Sequence, residues 1–203
     1  MNNPELIKER ILLAAEDIFA EKGLAGTRVD EIAKLSGVNK RLIYVLFDSK
    51  ETIYKTVLNR VYSRLVDTET SQNIQLPADE VLRQKIFSTF EFLIKNPNFV
   101  SLVMHENLNK AKYIDSAGII PIKSKSVVAL QKLIKKGIDD GIFRKDIDIN
   151  EMVFAINMFV FSYFSNKYTM PKLVNVDLGN EDSAKYRCNM VADMIIQYLK
   201  NKE

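Results

Sequence analysis

Apolar residues recur along this chain at intervals of three and four, and the alternation in twos that marks a strand is absent. Ile7, Ile11, Ala14, Ala15, Ile18 and Phe19 share one helical face, which predicts a helix over 5–22 stopped by Gly23. A short second helix is predicted over 28–36, with Thr27 as its N-cap. Gly37-Val38-Asn39 then reads as a tight turn, with Asn39 capping a third helix over 40–47. Ile53, Val57, Val61 and Leu65 form the stripe of a long fourth helix over 50–70. Polar residues 71–77 end at Pro77, the best candidate for a boundary between two parts. Further helices are predicted over 78–95, stopped at Asn96-Pro97-Asn98, and over 98–110, 121–139, 149–167 and 181–201. Residues 171–180 read as a loop, and 111–120 give no clear pattern. The expected architecture is all-α with about nine helices.

Composition narrows the class. The chain has 203 residues, 47% apolar and 27% charged, which suits a folded globular protein with a sizeable core. Seven glycines and five prolines are few for a turn-rich β protein. The single cysteine, Cys188, rules out an internal disulfide framework and reads as a structural thiol in a reducing cytoplasm. The first ten residues lack the apolar core of a signal peptide, and no apolar run is long enough to span a membrane. A cytoplasmic location is therefore expected.

The net charge of +3 says little about partners. Residues 1–50 hold eight basic and eight acidic side chains, so any nucleic-acid function depends on where the charges sit. Two short helices joined by a glycine turn make a helix-turn-helix unit, whose second helix enters the major groove. With successive residues about 100° apart, Ile43, Leu46 and Phe47 cluster on the core side of the third helix. The opposite side is centred on Arg41 and Val45, flanked by Leu42 and Tyr44. An arginine there reaches guanine O6 and N7 with two hydrogen bonds, and Leu42 and Val45 suit thymine methyls. Arg28, Lys40 and Lys50 begin the second, third and fourth helices, where free backbone N–H groups also favour anions. Glu5, Glu9, Glu16, Asp17 and Glu21 lie mainly on the first helix, away from this face. By spacing alone, the pair is equally a scaffold element of a helical protein.

The residues carry more than the spacing. Ile32-Ala33, Gly37-Val38, Lys40, Tyr44, Phe47, Ser49-Lys50-Glu51 and Ile53 stand in an ordered run that resembles the signature of the TetR family of transcriptional regulators. The resemblance covers about residues 5–55. The second half is similar to the RutR-like branch through Asn96-Pro97-Asn98-Phe99 and His105-Glu106-Asn107. The resemblance implies a homodimeric repressor. Each copy would offer one helix-turn-helix to half of a palindromic operator, and a small-molecule effector would release the DNA. It also implies phosphate contacts for Tyr44 and Lys50. Five positions depart from the family pattern. Arg28 stands where threonine is frequent, Asn39 replaces a frequent serine, Leu42 replaces a threonine, and Val45-Leu46 replaces a commonly aromatic or histidine pair. The fold is untouched by these changes, while the identity of the base contacts shifts.

The organisation expected is a DNA-binding domain in 1–50 and a ligand-binding and dimerisation domain in 51–203. Candidate ligand-binding residues are Phe87, Phe90, Phe99, Met104, His105, Phe154, Asn157, Met158 and Phe161. For any single aromatic or methionine among them, plain core is the simpler reading. His105, beside Glu106, Asn107 and Asn109, either orients a polar ligand or takes a capping or surface role. The stretch 152–164 is apolar on nearly every side, so a partner copy is the simplest cover for one of them. Met190, Val191, Met194, Ile195 and Tyr198 of the last helix would pack beside it in a four-helix dimer interface. Asn157 then needs a hydrogen-bond partner: a ligand, the other copy, or a backbone carbonyl. With one histidine and one cysteine, no metal site or cofactor is expected, and no paired catalytic groups or glycine-rich phosphate loop point to an enzyme. A second class remains open: a helical small-molecule or lipid binding protein without operator binding.

Overall fold

A computed structural model describes residues 3–70, 76–176 and 181–200. Among these residues there are ten helices and no strand: α1 Pro4–Gly26, α2 Val29–Ser36, α3 Lys40–Phe47, α4 Lys50–Thr70, α5 Ala78–Lys95, α6 Pro97–Leu108, α7 Ile119–Asp139, α8 Ile149–Ser165, α9 Met170–Val174 and α10 Glu181–Lys200. The boundaries predicted from periodicity are close to those observed. The tenth helix is α9, a single turn begun at Met170-Pro171 inside the stretch expected to be loop. Proline early in a helix loses no hydrogen bond, because that N–H has no partner anyway. Residues 71–75 of the expected boundary lie outside the described residues, as do 177–180 of the expected loop.

The chain divides into two compact units, one of residues 1–64 and 97–122 and one of 65–96 and 123–203. In the first, α6 and α2 both pack on α1. Ile11, Ala15, Phe19, Ile32, Ile43, Ile53, Tyr54, Val57, Leu58 and Val61 make its buried centre. The Tyr54 ring meets Phe19 edge-on at 5.0 Å and Tyr113 at 5.5 Å. Its hydroxyl donates to the buried Glu106 carboxylate at 2.9 Å, whose other oxygen accepts from the Tyr113 backbone N–H at 3.0 Å. Burial drives the Tyr54 phenol far above its ordinary range, reinforced by that carboxylate.

In the second unit, α10 and α8 pack on α5 and on each other. Phe90 is buried against Phe164, ring centroids 5.2 Å apart, and against Tyr163 at 5.7 Å. The Lys123 ammonium pairs with Glu69 at 2.6 Å, and Lys85 donates to the Glu69 backbone carbonyl near the end of α4. Burial holds the Lys85 ammonium below its usual range. Cys188 is buried, and burial pushes its thiol up to about 12, as suits a structural residue.

Candidate nucleic-acid interface

The second and third helices owe their geometry to four local devices. α1 does not end cleanly at Gly23: the backbone breaks there at φ 67°, ψ 176°, and helical turns resume to Gly26. Thr27, expected as the N-cap of α2, instead closes α1. Its hydroxyl donates to the Gly23 carbonyl at 2.7 Å and is buried in doing so. A threonine before a short helix fits either role by sequence; the freed carbonyl at the Gly23 break decides between them. Arg28 takes the N-cap position of α2, and its backbone N–H donates to the Glu31 carboxylate at 2.9 Å. Lys22 pairs with the same carboxylate and ties α1 to α2.

Gly37 ends α2 in the left-handed region at φ 64°. A side chain there is excluded twice, by that φ and by Arg10, whose Nη2 would lie 2.8 Å from a Cβ. Arg10 is in place because its guanidinium donates to the Ser36 carbonyl at 2.6 Å, satisfying the end of α2. Two residues on, the Asn39 side chain accepts from the Arg41 N–H at 2.8 Å and caps α3 as expected. Asn39 is therefore a shaping residue at the edge of the exposed face.

α3 divides as the sequence predicts. Ile43 and Phe47 are buried and Leu46 is half-buried. Arg41, Leu42, Tyr44 and Val45 stand outward, Val45 at 70% exposure. An exposed valine flanked by an exposed leucine and tyrosine is uncovered apolar surface beside an arginine, the mixture that base edges and thymine methyls require. The Arg28 and Arg41 guanidiniums make no ion pair with any described residue, so both keep their donors for an external acceptor.

The other two predicted cations are engaged. Lys40 pairs with Asp30 at 2.9 Å across the turn, and this hydrogen bond pulls its ammonium above its ordinary value. Lys50 donates to the Leu24 carbonyl at 2.7 Å and to the Thr27 carbonyl at 2.8 Å. It thus pins the residues after the Gly23 break to the start of α4, with two of its three donors used. This bracing role depends on distant carbonyls and is invisible in the spacing. Ser49, quoted above only as part of the family signature, accepts from the Thr52 N–H at 3.1 Å through its hydroxyl and caps α4.

Three acidic side chains of α1 are turned toward α4 and α6. Glu9 is bridged by Arg60, Glu16 by Arg64 at 2.6 Å, and Asp17 accepts from Asn98 at 2.7 Å. Three of the segment's eight carboxylates are thus spent on holding α1 against α4 and α6, away from the outward side of α3.

The nine expected ligand-binding residues fall in both units. In the first, Phe99 is buried against the Tyr62 ring at 5.1 Å and Met104 is exposed. His105 is half-buried against α1, its Nε2 3.3 Å from the Ala20 carbonyl oxygen and its Nδ1 2.9 Å from where a Cβ on Gly23 would sit. In the second, Phe90 is core, while Phe87, Asn157 and Phe161 are half-buried. The Asn157 amide donates to the Val153 carbonyl of its own helix at 2.7 Å, the plainest of the three partners considered. Phe154 and Met158 stand outward, Phe154 at 61% exposure. Among the described residues no group of three or more His, Cys, Asp or Glu side chains is placed to hold a metal, and no helix is long and apolar enough to cross a membrane.

A helix-turn-helix with an outward arginine, carried on an all-helical chain, defines a DNA-binding transcriptional regulator, and sequence and structure comparisons agree. Residues 11–57 match the family model described as bacterial regulatory proteins, tetR family, and residues 78–195 match the tetracyclin repressor-like C-terminal domain. The chain belongs to the TetR family. It is 27% identical to the HTH-type transcriptional repressor NicS of Pseudomonas putida over 195 residues, 95% of this chain and 92% of that one. It is 44% identical to the regulator RutR of Escherichia coli over 54 residues, 27% of this chain. In fold it is similar to the fatty acid degradation regulator FadR from Bacillus halodurans, with a TM-score of 0.76 at 22% identity over the full length of both. The TetR family regulator PfmR from Thermus thermophilus gives 0.74 at 21% identity, covering 95% of this chain and all of that one.

Proposed function

We propose that two copies of this chain bind a palindromic operator and repress transcription until a small molecule releases them. One observation carries the DNA half: the outward face of α3 joins an unpaired Arg41 to exposed Leu42, Tyr44 and Val45 on a helix fixed by the Gly37 turn and the Asn39 cap. In this reading Arg41 makes the bidentate base contact and Val45 and Leu42 lie on thymine methyls. Arg28, Lys40 and Tyr44 hold phosphates, and Lys50 adds charge while it braces the turn. Residues 1–50 form the reading head, and 51–203 bind the effector and the second copy.

The dimer half rests on an outer stripe. Phe154, Met158 and Phe159 of α8 and Met190, Met194 and Tyr198 of α10 are all exposed at helical spacing. An apolar stripe of this kind on a water-exposed chain suits a self-complementary interface between two copies. Phe154 and Met158 are better assigned there than to an enclosed ligand cavity. The similarity to NicS, a repressor over nearly the whole length, supports repression over activation.

The test begins with a palindrome in the DNA upstream of the chain's own gene. Gel-shift titration should show specific binding that weakens steeply with salt, with two chains per site. Absence of specific binding at low salt would favour the remaining reading, a helical small-molecule binding protein whose helix-turn-helix is scaffold.

A further inference from the structure

α2 gives way to α3 at Gly37, and one polar group at that junction has no backbone partner among the described residues. The N–H groups of Gly37 and Val38 both turn back to the Ala33 carbonyl. The Ser36 carbonyl beside them accepts instead from the guanidinium of Arg10, 26 residues earlier on α1, at 2.6 Å. Arg10 makes no ion pair with a described residue: Glu5 is taken by Lys8, Glu9 by Arg60 and Asp30 by Lys40. Its charge therefore serves the carbonyl end of α2, where the helix dipole is negative. What it holds matters for α3. Lys40, Arg41 and Leu42 are all exposed, so the first turn of α3 buries no side chain of its own. That turn is placed by what lies on either side: the buried Ile43 after it, and before it the buried Val38 and the clamped junction. The Asn39 cap reaches only its own neighbour, the Arg41 N–H, and so shapes the start of the helix without tying it to α1.

We infer that Arg10 is a positioning residue for operator recognition. One charged hydrogen bond from α1 sets where α3 begins, and with it the reach of Arg41 toward a base edge. Loosening the junction displaces the first turn of α3 while Ile43 and Phe47 stay buried. Base-edge hydrogen bonds demand close geometry, whereas phosphate contacts carry no sequence information. Arg10 therefore acts on sequence preference and not on general DNA affinity. The competing role is a direct phosphate contact, since the side chain is exposed. Geometry favours positioning: the bonded Nη2 also lies 2.8 Å from where a Cβ on Gly37 would sit, so guanidinium and turn are fitted to each other. The inference rests on the DNA reading proposed above.

Arg10→Met keeps an apolar stem and removes the donors, and Arg10→Lys keeps a charged donor. The full chain and both variants are titrated against the upstream palindrome and a random duplex across a salt series, with thermal melts and amide exchange over residues 33–47. Arg10→Met should bind the operator about tenfold more weakly, the scale of one base contact. Its random-duplex affinity and salt slope should stay near wild type, and its melting temperature should fall by no more than a few degrees. The Val38 and Ile43 amides should exchange faster, and Arg10→Lys should recover part of the operator affinity. Equal weakening on both duplexes, with the slope lowered by about 1, overturns the inference and makes Arg10 a phosphate ligand. An Arg10→Met chain that no longer folds, or no recovery by Arg10→Lys, gives the side chain to fold stability and overturns it too. A wild-type chain that binds no operator overturns the DNA reading and this inference together. Wild-type operator binding that Arg10→Met matches overturns the inference alone.

Discussion

The Lys40 ammonium lies 2.9 Å from the Asp30 carboxylate, on the face where α2 and α3 meet solvent. In the DNA-free protein, a cation expected to hold phosphate is already held. Binding must exchange one partner for the other, and Asp30 is then a negative charge left close to the backbone of the duplex. Asp30→Asn should therefore tighten operator binding several-fold at low salt, since exposed pairs of this kind are worth under about 1 kcal/mol to the fold itself. Gel-shift affinities at several salt concentrations check this; weaker binding by Asp30→Asn would show that the pair shapes α3 instead.

Base and phosphate contacts separate by their salt dependence. Lys40→Ala should weaken binding to specific and random DNA alike and lower the salt slope by about 1. Val45→Ala should leave the slope alone and cost about 1 kcal/mol on the operator only, through a lost thymine contact. Titrations of both variants on operator and random duplex distinguish the two patterns.

Gly23 and His105 are matched in shape. A Cβ at Gly23 would lie 2.9 Å from Nδ1 of the His105 ring, and φ 67° disfavours any L side chain. Gly23→Ala should destabilise the fold by about 1–3 kcal/mol. In a double variant, His105→Ala should recover the steric part and leave the backbone part. Thermal or urea melts of the four proteins give the coupling.

The Glu9 carboxyl is held below its ordinary 4.5 chiefly by the hydrogen bond from Arg60; burial, next in size, opposes it, and the charges of Arg60 and Arg64 add to the lowering. A lowered folded-state value means that the stabilisation is present above 4.5 and fades as pH falls through the folded value. Glu9→Gln should thus be less stable than wild type at pH 7, by under about 1 kcal/mol because the pair is partly exposed. The difference should vanish in acid. Urea melts across pH 3–7 check the sign.

Much of this was legible in the sequence because it was local. The spacing of Ile53, Val57, Val61 and Leu65 defines α4, and Gly37 with Asn39 defines the turn and the cap before α3. The exposed face of α3 follows from the position of Ile43 and Phe47 alone. What stayed hidden depends on distant partners. Thr27 reads as the start of α2 until the Gly23 break supplies a carbonyl for it. Lys50 reads as a phosphate ligand until α4 brings it to Leu24 and Thr27. α9 is too short to show a period.

In the proposed function, operator recognition rests on the outward face of α3. Arg41 and Tyr44 are exposed and help bury neither α2 nor the core, so Arg41→Ala with Tyr44→Ala should fold and melt like wild type. A quantitative gel shift of that double variant on the upstream palindrome is the deciding measurement. Loss of specific binding, leaving only the weak salt-sensitive association shared with random DNA, is the predicted result. Unchanged operator affinity would contradict the account.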